Sequence, residues 1–252
     1  EVDFFMEINV ASWNIWIHGS RDFKGMAKVI KENKIDVIGI QEAGIYYDQT
    51  PPFNITEKIA SELDFNFVFC PSLDVRSDPK RRYIIGNAVL SKFPILESTC
   101  YPLGPEIKYD GTFQTEPRIL VSSKIKLGKK TLYFFTTHLQ FSVEFQTTKI
   151  RLKQAEKILS LTKNTKPAIL TGDFNTPSQR EEIKKIEKVL RRVNGDEPTW
   201  TVYPWEKYGW KVDSLKYRID HFFLSKDLEY KNPQVIKSRL SDHLPIKTSI
   251  VI

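Results

Sequence analysis

Residues 168–178 read Ala-Ile-Leu-Thr-Gly-Asp-Phe-Asn-Thr-Pro-Ser. Ala168-Ile169-Leu170 is short, uncharged and stopped by a glycine, which predicts a buried strand. Gly172 permits a tight turn, and Asp173 and Asn175 follow at alternate positions, so both side chains can leave the strand tip on one side. Thr176-Pro177-Ser178 then predicts the start of a helix, because Pro suits a first turn and Ser178 with Glu181 fits a capping box. A carboxylate and a carboxamide at a strand tip, beside the positive end of a helix, suit a metal-bound phosphate and its attacking water. A plain polar turn capping a helix is the other reading of the same residues.

Outward from this stretch the pattern alternates. Ile8, Val10 and the Trp13 to Ile15 region predict a strand ending near Asn14. Phe23, Met26, Ala27 and Ile30 form a helical stripe. Val37 to Ile40 is a second buried strand, followed at once by Gln41-Glu42. Asn54 with Glu57 caps a helix carrying Ile55, Ile59 and Leu63. Phe65 to Phe69, Asn87 to Ser91, Arg118 to Ile125 and Thr131 to Thr137 predict further strands. A long helix presents Leu152, Ala155, Ile158 and Leu159, and another is expected from Gln179 to Val193. Arg218 to Leu224 and Leu244 to Ile252 complete the strands. Helices interleave early and hairpins come later, so two sheets packed face to face with helices outside are expected, in one domain spanning residues 1–252.

The 252-residue chain is 40% hydrophobic and 27% charged, the balance of a globular domain with a sizeable core. Its 38 Lys and Arg against 31 Asp and Glu leave +7, which favours polyanionic partners, nucleic acid or anionic lipid alike. Cys70 and Cys100 allow one bridge or two free thiols. No apolar run is long enough to span a bilayer. The chain begins at Glu1 rather than Met, read as the trace of a removed N-terminal segment; cytoplasm and export both stay open.

Asn14, Glu42, His138, Asp173, Asn175, Asp220 and Asp242-His243 all fall at or just beyond predicted strand ends, where a rigid scaffold presents catalytic groups. Singly, Glu42 reads equally as a solvated carboxylate, His138 as a strand-end histidine bonded to backbone, and Ser241 to Pro245 as a turn. Asp220 lies inside an apolar strand and needs a partner, which His243 would supply. Together they contain the parts of a phosphoryl-transfer site. Glu42 and Asp242 offer hard oxygens suited to Mg²⁺ or Mn²⁺, and no Cys/His spacing fits tetrahedral zinc. Neither a Gly-x-Ser-x-Gly elbow nor a P-loop is present.

The set Trp13-Asn14, Gln41-Glu42, Thr137-His138-Leu139, Gly172-Asp173-Phe174-Asn175, Arg218-Ile219-Asp220 and Ser241-Asp242-His243 resembles, in order and over nearly the whole chain, the endonuclease/exonuclease/phosphatase superfamily of deoxyribonuclease I-like phosphoesterases. The resemblance implies a four-layer α/β sandwich and a hydrolase using one or two Mg²⁺ or Mn²⁺ ions. It implies that Glu42 binds metal with Asn14 and Asp242, and that Asp173 activates water while Asn175 holds phosphate. His243, oriented by Asp220, would stabilise the phosphate, and His138 would be a second phosphate ligand and proton donor.

Relatives in that superfamily cleave DNA, RNA, sphingomyelin and phosphoinositides, so the fold does not name the substrate. Abasic-site endonucleases usually carry tyrosine where this chain has His138, which lowers that reading. Arg76 to Arg82 places Arg76, Arg81 and Arg82 in a basic loop before an expected Gly86-Asn87 turn, as phosphate contacts or as an ordinary solvated loop. Trp200, Tyr203, Trp205, Tyr208 and Trp210 can stack on bases, meet a membrane surface or pack in the core. Arg118, Asn87 and Trp205 are further candidate substrate contacts. The leading expectation is a monomeric nuclease acting on DNA or RNA. A lipid or inositol-phosphate phosphoesterase is the first alternative, and an inactive polyanion-binding module of the same fold is the second.

Overall fold

The elements follow from these local patterns. A computed structural model describes residues 6–106, 108–112, 114–200 and 217–252. In chain order they are β1 (Glu7–Asn14), α1 (Phe23–Glu32), β2 (Val37–Tyr46), β3 (Phe53–Asn54), α2 (Ile55–Leu63), β4 (Asn66–Asp74), β5 (Tyr83–Ser91), β6 (Ile95–Gly104), β7 (Arg118–Leu127), β8 (Lys130–His138), α3 (Lys149–Thr162), β9 (Ala168–Asp173), α4 (Glu181–Glu187), β10 (Arg191–Arg192), β11 (Asp220–Leu224), β12 (Glu229–Val235) and β13 (Ile246–Val251).

One sheet runs β12-β13-β1-β2-β5-β4, with β3 on β2, and the other runs β10-β11-β9-β8-β7-β6. Their facing sides bury Ile8, Val10, Val37 and Val89 against Val121, Phe134, Ile169 and Phe222. Helices α1 and α2 cover the first sheet through Met26, Ile30, Ile55 and Ile59. Helices α3 and α4 cover the second through Ala155, Ile158, Ile183 and Ile186. The expected four-layer sandwich is the fold. The expected cap of α2 is also there, Asn54 Oδ1 accepting from the N–H of Thr56 and Glu57.

Several local expectations are corrected. The helix from Gln179 to Val193 is only Glu181–Glu187, and its N-cap, Arg180, makes no side-chain cap bond. Beyond it the chain turns, and Val193 N donates to Phe222 O at 3.0 Å, drawing Arg191–Arg192 onto the sheet as β10. Gly86 and Asn87 do not form a turn; they lie within β5, paired to β4. A Cβ at Gly86 would stand 1.9 Å from Cys70 O, so only glycine admits that strand approach. Strands β6 and β12 escaped prediction because both are largely exposed, without an apolar face to set a period of two.

Cys70 on β4 and Cys100 on β6 form a disulfide, settling the alternative that their sequence left open. The bridge joins an edge strand of one sheet to an edge strand of the other across a separation of 30 residues. Closing a loop of that length removes denatured-state entropy worth about 3–4 kcal/mol. Reduction, or Cys100→Ser, is therefore expected to lower the melting temperature by roughly 10 °C. Coincident melts with and without reductant would show that the bridge contributes nothing.

Candidate active site

Register assembles one half of the site. Strands β8 and β9 are parallel, with His138 opposite Asp173, and β11 runs antiparallel to β9, with Asp220 opposite the same Asp173. Three polar side chains thus occupy one transverse row at the end of the second sheet, facing the same way. Gly172 makes the row possible: at φ 147 it brings β9 so near β8 that a Cβ would lie 1.9 Å from Thr137 O. The first sheet supplies the other half. Asn14 ends β1 opposite Gln41 on β2. Glu42, expected beyond a strand end, instead sits inside β2 where the pairing with β5 slips between Ile40 and Ala43, at φ 53. That bulge turns its carboxylate out of the sheet.

The halves meet around Asp173, which is 1% exposed. Asp173 Oδ1 accepts from Asn175 N at 2.8 Å and Oδ2 accepts from Asn14 Nδ2 at 3.0 Å. His138 Nε2 and His243 Nε2 lie 3.4 and 3.6 Å from that Oδ2. Burial pushes the Asp173 carboxyl up to about 7, His243 pulling against it and Asp220 adding to it.

The two histidines carry different charges. Burial disfavours a charged His243, yet Asp220 and Asp173 outweigh it and hold the imidazolium well above its ordinary range. Its Nδ1–H donates to Asp220 Oδ2 at 2.9 Å, leaving Nε2–H toward Asp173. His138 is held well below the ordinary value, by burial first and then by the charges of Arg118 and His243. Arg118 has only donors, so its Nη1 donates to His138 Nδ1 at 2.9 Å and the ring proton stands on Nε2. Asn175 Nδ2 lies 2.9 Å from that nitrogen while donating to Leu139 O at 3.0 Å. Two donors cannot bond each other, so this pair suits an anionic oxygen.

Neighbouring contacts lock these groups. Ser241 Oγ donates to Asn14 O at 2.7 Å, and Trp13 Nε1 donates to His243 O at 3.1 Å, tying the Ser-Asp-His turn to β1. Thr199 Oγ1 accepts from the N–H of both Ile219 and Asp220 at 3.2 Å. Fully buried Arg151 donates to Asn175 O at 2.6 Å and to Glu182 Oε1 at 2.7 Å. Its Nη2 also donates to Gln146 O, fixing the loop that follows β8.

A cleft of about 590 Å³ opens over the site, lined by Glu42, His138, Asp173, Asn175, Asp242 and His243 together with Arg81, Arg118 and Glu116. Phe141, Phe145 and Trp200 make an aromatic wall, the Phe145 ring lying 5.8 Å from Trp200 and 4.9 Å from Tyr217. The structure therefore brings Asn14, Glu42, His138, Asp173, Asn175, Asp220, Asp242 and His243 together. Asn14 differs in orientation from expectation. Its Oδ1 accepts from Trp16 N at 2.9 Å, so its nitrogen faces the site and links Glu42 Oε1, at 3.2 Å, to Asp173.

The outlying candidates divide. Arg118 is 4% exposed, held between His138 and Glu116, and orients a histidine rather than projecting from the surface. Asn87 is buried, donates to Ile119 O across the sheets at 3.2 Å, and lines a small hollow with Glu42, Glu116, Arg118 and His138. Arg81 reaches the cleft; Arg82 lines a neighbouring hollow instead. Arg76 lines neither and pairs with Asp74 at 2.6 Å on an exposed strand end. Trp205, with Tyr203, Tyr208 and Trp210, lies outside the described residues. Sequence reading missed Glu116, Phe141, Phe145 and Arg151. The Phe141-x-x-x-Phe145 spacing just after His138 was the available signal for the aromatic wall.

Next to the site, buried His221 donates from Nε2 to Thr176 O at 2.9 Å, and burial lowers it from 6.5 to about 4. Between those values the unfolded chain holds a proton that the folded chain excludes, so stability is lost as pH falls from 6.5 toward 4. The loss amounts to about 3 kcal/mol. Asp173, raised by burial, acts in the opposite sense. Comparing melts of wild type and His221→Gln across this range isolates the histidine; parallel curves would contradict the assignment.

The order and placement of these residues agree with a family profile. The profile of the Endonuclease/Exonuclease/phosphatase family matches residues 11–243. The chain belongs to that family. Members of this family are phosphoester hydrolases. Solved structures share its fold. An endonuclease/exonuclease/phosphatase family protein from Bacteroides thetaiotaomicron is 20% identical, with 99% of each chain covered and a TM-score of 0.72. Mannosyl-6-phosphatase Bt3783 of the same organism is 19% identical, covering 97% of this chain and 100% of that one, at a TM-score of 0.68. The human Nocturnin catalytic domain is 17% identical, covering 98% and 96%, at a TM-score of 0.71. No curated protein matches the chain. Among the described residues no helix is long and apolar enough to cross a membrane.

Proposed function

We propose that the chain is a divalent-metal-dependent phosphodiester hydrolase acting on nucleic acid, in which an activated water attacks phosphorus in line. The observation that carries the hydrolase reading is the convergence of His138, Asn175 and His243 donors around one buried carboxylate with a value near neutrality. Asp173 accepts the proton of the attacking water, for which a value of about 7 is well matched. His243 presents Nε2–H to a phosphoryl oxygen, its charge maintained by Asp220. Asn175 donates to the same group. His138, neutral and carrying its proton on Nε2 by the arrangement of Arg118, donates a hydrogen bond to the leaving oxygen, which takes its proton from solvent.

The donor set fits a hard cation. Glu42 is turned into the cleft by its bulge and Asp242 lines the same space. The cluster of Asp173, Asp220 and His243, whose ligand atoms lie within 4.8 Å of one another, is less suited, since its histidine is itself charged. Mg²⁺ or Mn²⁺ held by Glu42 with Asp242 would supply charge neutralisation and orientation of the phosphate. Nucleic acid is favoured over lipid or inositol phosphate by the aromatic wall of Phe141, Phe145 and Trp200 in a cleft that also holds Arg81 and Arg118. The Cys70–Cys100 bridge supports an oxidising compartment.

The test is turnover of single- and double-stranded DNA and RNA, beside sphingomyelin and inositol phosphates, with Mg²⁺, Mn²⁺ or chelator. Metal-dependent cleavage of nucleic acid is expected. Turnover confined to the lipid or inositol substrates would remove nucleic acid. No turnover anywhere, with anion binding retained, would point to a binding module.

A further inference from the structure

Beside the cleft lies a second hollow of about 250 Å³, lined by Ile17, His18, Arg21 and Tyr46, by Lys80, Arg81 and Arg82 from the segment joining β4 to β5, and by Tyr83 at the start of β5. Ile17, His18, Arg81 and Tyr83 line both spaces, so the two adjoin. We propose that this hollow is a second phosphate subsite, so that the substrate carries at least two phosphate groups, one at Asp173 and one here. The proposal rests on the phosphoesterase reading and extends it to the class of substrate.

Charge is the first ground. Arg21, Lys80, Arg81 and Arg82 line the hollow with His18; Arg21 pairs with Asp48 at 2.8 Å and Arg81 with Asp78 at 2.6 Å. Lys80 and Arg82 are exposed and make no ion pair among the described residues. Arg81 is anchored by Asp78 Oδ2 at 2.6 Å and by Tyr109 OH at 2.8 Å. Lys80 and Arg82 thus leave a net positive charge beside two paired arginines, which raises the local concentration of an anion.

Pre-organisation is the second ground. Arg21 lies 3.7 Å from the centroid of the Tyr46 ring. Tyr46 OH donates to Ile17 O at 2.8 Å, and Ile17 N donates to Glu42 Oε2 at 3.1 Å. The hollow is thereby coupled through three residues to the carboxylate assigned to the metal. Arg82, next to Tyr47 in space, adopts φ 39, an uncommon conformation outside glycine. It is held there by Arg82 N on Asp78 O at 3.1 Å and Tyr47 N on Arg82 O at 2.8 Å. Such strain persists where surrounding structure over-determines it, and it clusters at ligand clamps. A freely solvated loop needs none of these ties.

Two phosphates in fixed relation occur in a nucleic-acid backbone and in a phosphorylated polyol, and matched pairs distinguish them. One pair is a dinucleoside with one diester phosphate and a trinucleoside with two; the other is inositol monophosphate and inositol bisphosphate. With Mg²⁺, the two-phosphate member of one pair is expected to exceed its partner about tenfold in kcat/KM, the effect of one good anion contact. In Lys80→Ala/Arg82→Ala, substitutions at exposed positions, that ratio is expected to fall close to one. The pair showing the preference names the source of the second phosphate. Turnover of one-phosphate substrates without any preference overturns the subsite and leaves the hydrolase reading standing. A preference that survives in the double variant also overturns it. Absence of turnover for every member, with longer DNA and RNA and sphingomyelin also left intact, overturns the hydrolase reading and this proposal with it.

Discussion

Asp173→Asn is expected to lower kcat by about 10³-fold at saturating Mg²⁺, with the melting temperature lowered by only about 5 °C. The substitution keeps the shape of the side chain and the acceptor for Asn175 N. It removes a charge that burial already disfavours, since the carboxyl stands near 7 instead of the ordinary 3.8. Neutralisation itself therefore costs little, whereas the new amide NH₂ set against Asn14 Nδ2 and His243 Nε2 costs about 1–3 kcal/mol. What is lost is the group that takes a proton from water when phosphorus is attacked. Single-turnover kinetics and a thermal melt on the same preparation separate the two effects. Activity above a tenth of wild type would mean that the water is activated elsewhere.

Removing His243 should instead damage both activity and stability. His243 lies between Asp220 and Asp173, all three almost wholly buried. His243→Gln removes the positive charge that the carboxylates face, and breaking such a buried pair typically costs about 3–5 kcal/mol. Loss of the donor to the phosphoryl oxygen should also reduce kcat about 10²–10³-fold. The double variant Asp220→Asn/His243→Gln separates the two losses, because it replaces both charged partners by a neutral hydrogen-bonding pair. Stability should return in large part and activity should not. If the double variant is as unstable as the single one, uncompensated buried charge is not the cause.

Much of the site was legible because its residues lie where local patterns change. A short apolar run ending at Gly172-Asp173 marks a strand tip whatever the strand packs against, and the apolar surroundings of Asp220 demanded a partner that His243 provides. Other features depend on contacts that no local pattern carries. Arg118 is indistinguishable in sequence from a surface arginine; its role follows from lying 2.9 Å from His138 Nδ1. Arg151 reads as the polar face of a helix, yet it is buried with Glu182 between α3 and α4. The helix expected to reach Val193 was overridden because the edge of β11 offered its backbone partners.

By itself the sequence determined the composition of the site and the strand tips that bear it, because burial and turn chemistry act over a few neighbouring residues. It also determined the layered architecture, since alternating amphipathic stretches and apolar runs have few packed solutions. Only the tertiary structure decided which tips are neighbours. Every strand offers the same backbone donors and acceptors, so nothing local states that β9 lies between β8 and β11. That order, with Gly172 admitting the close approach, sets His138, Asp173 and Asp220 in a single row. The bulge at Glu42 and the turn at His243 then complete the cleft from the opposite sheet.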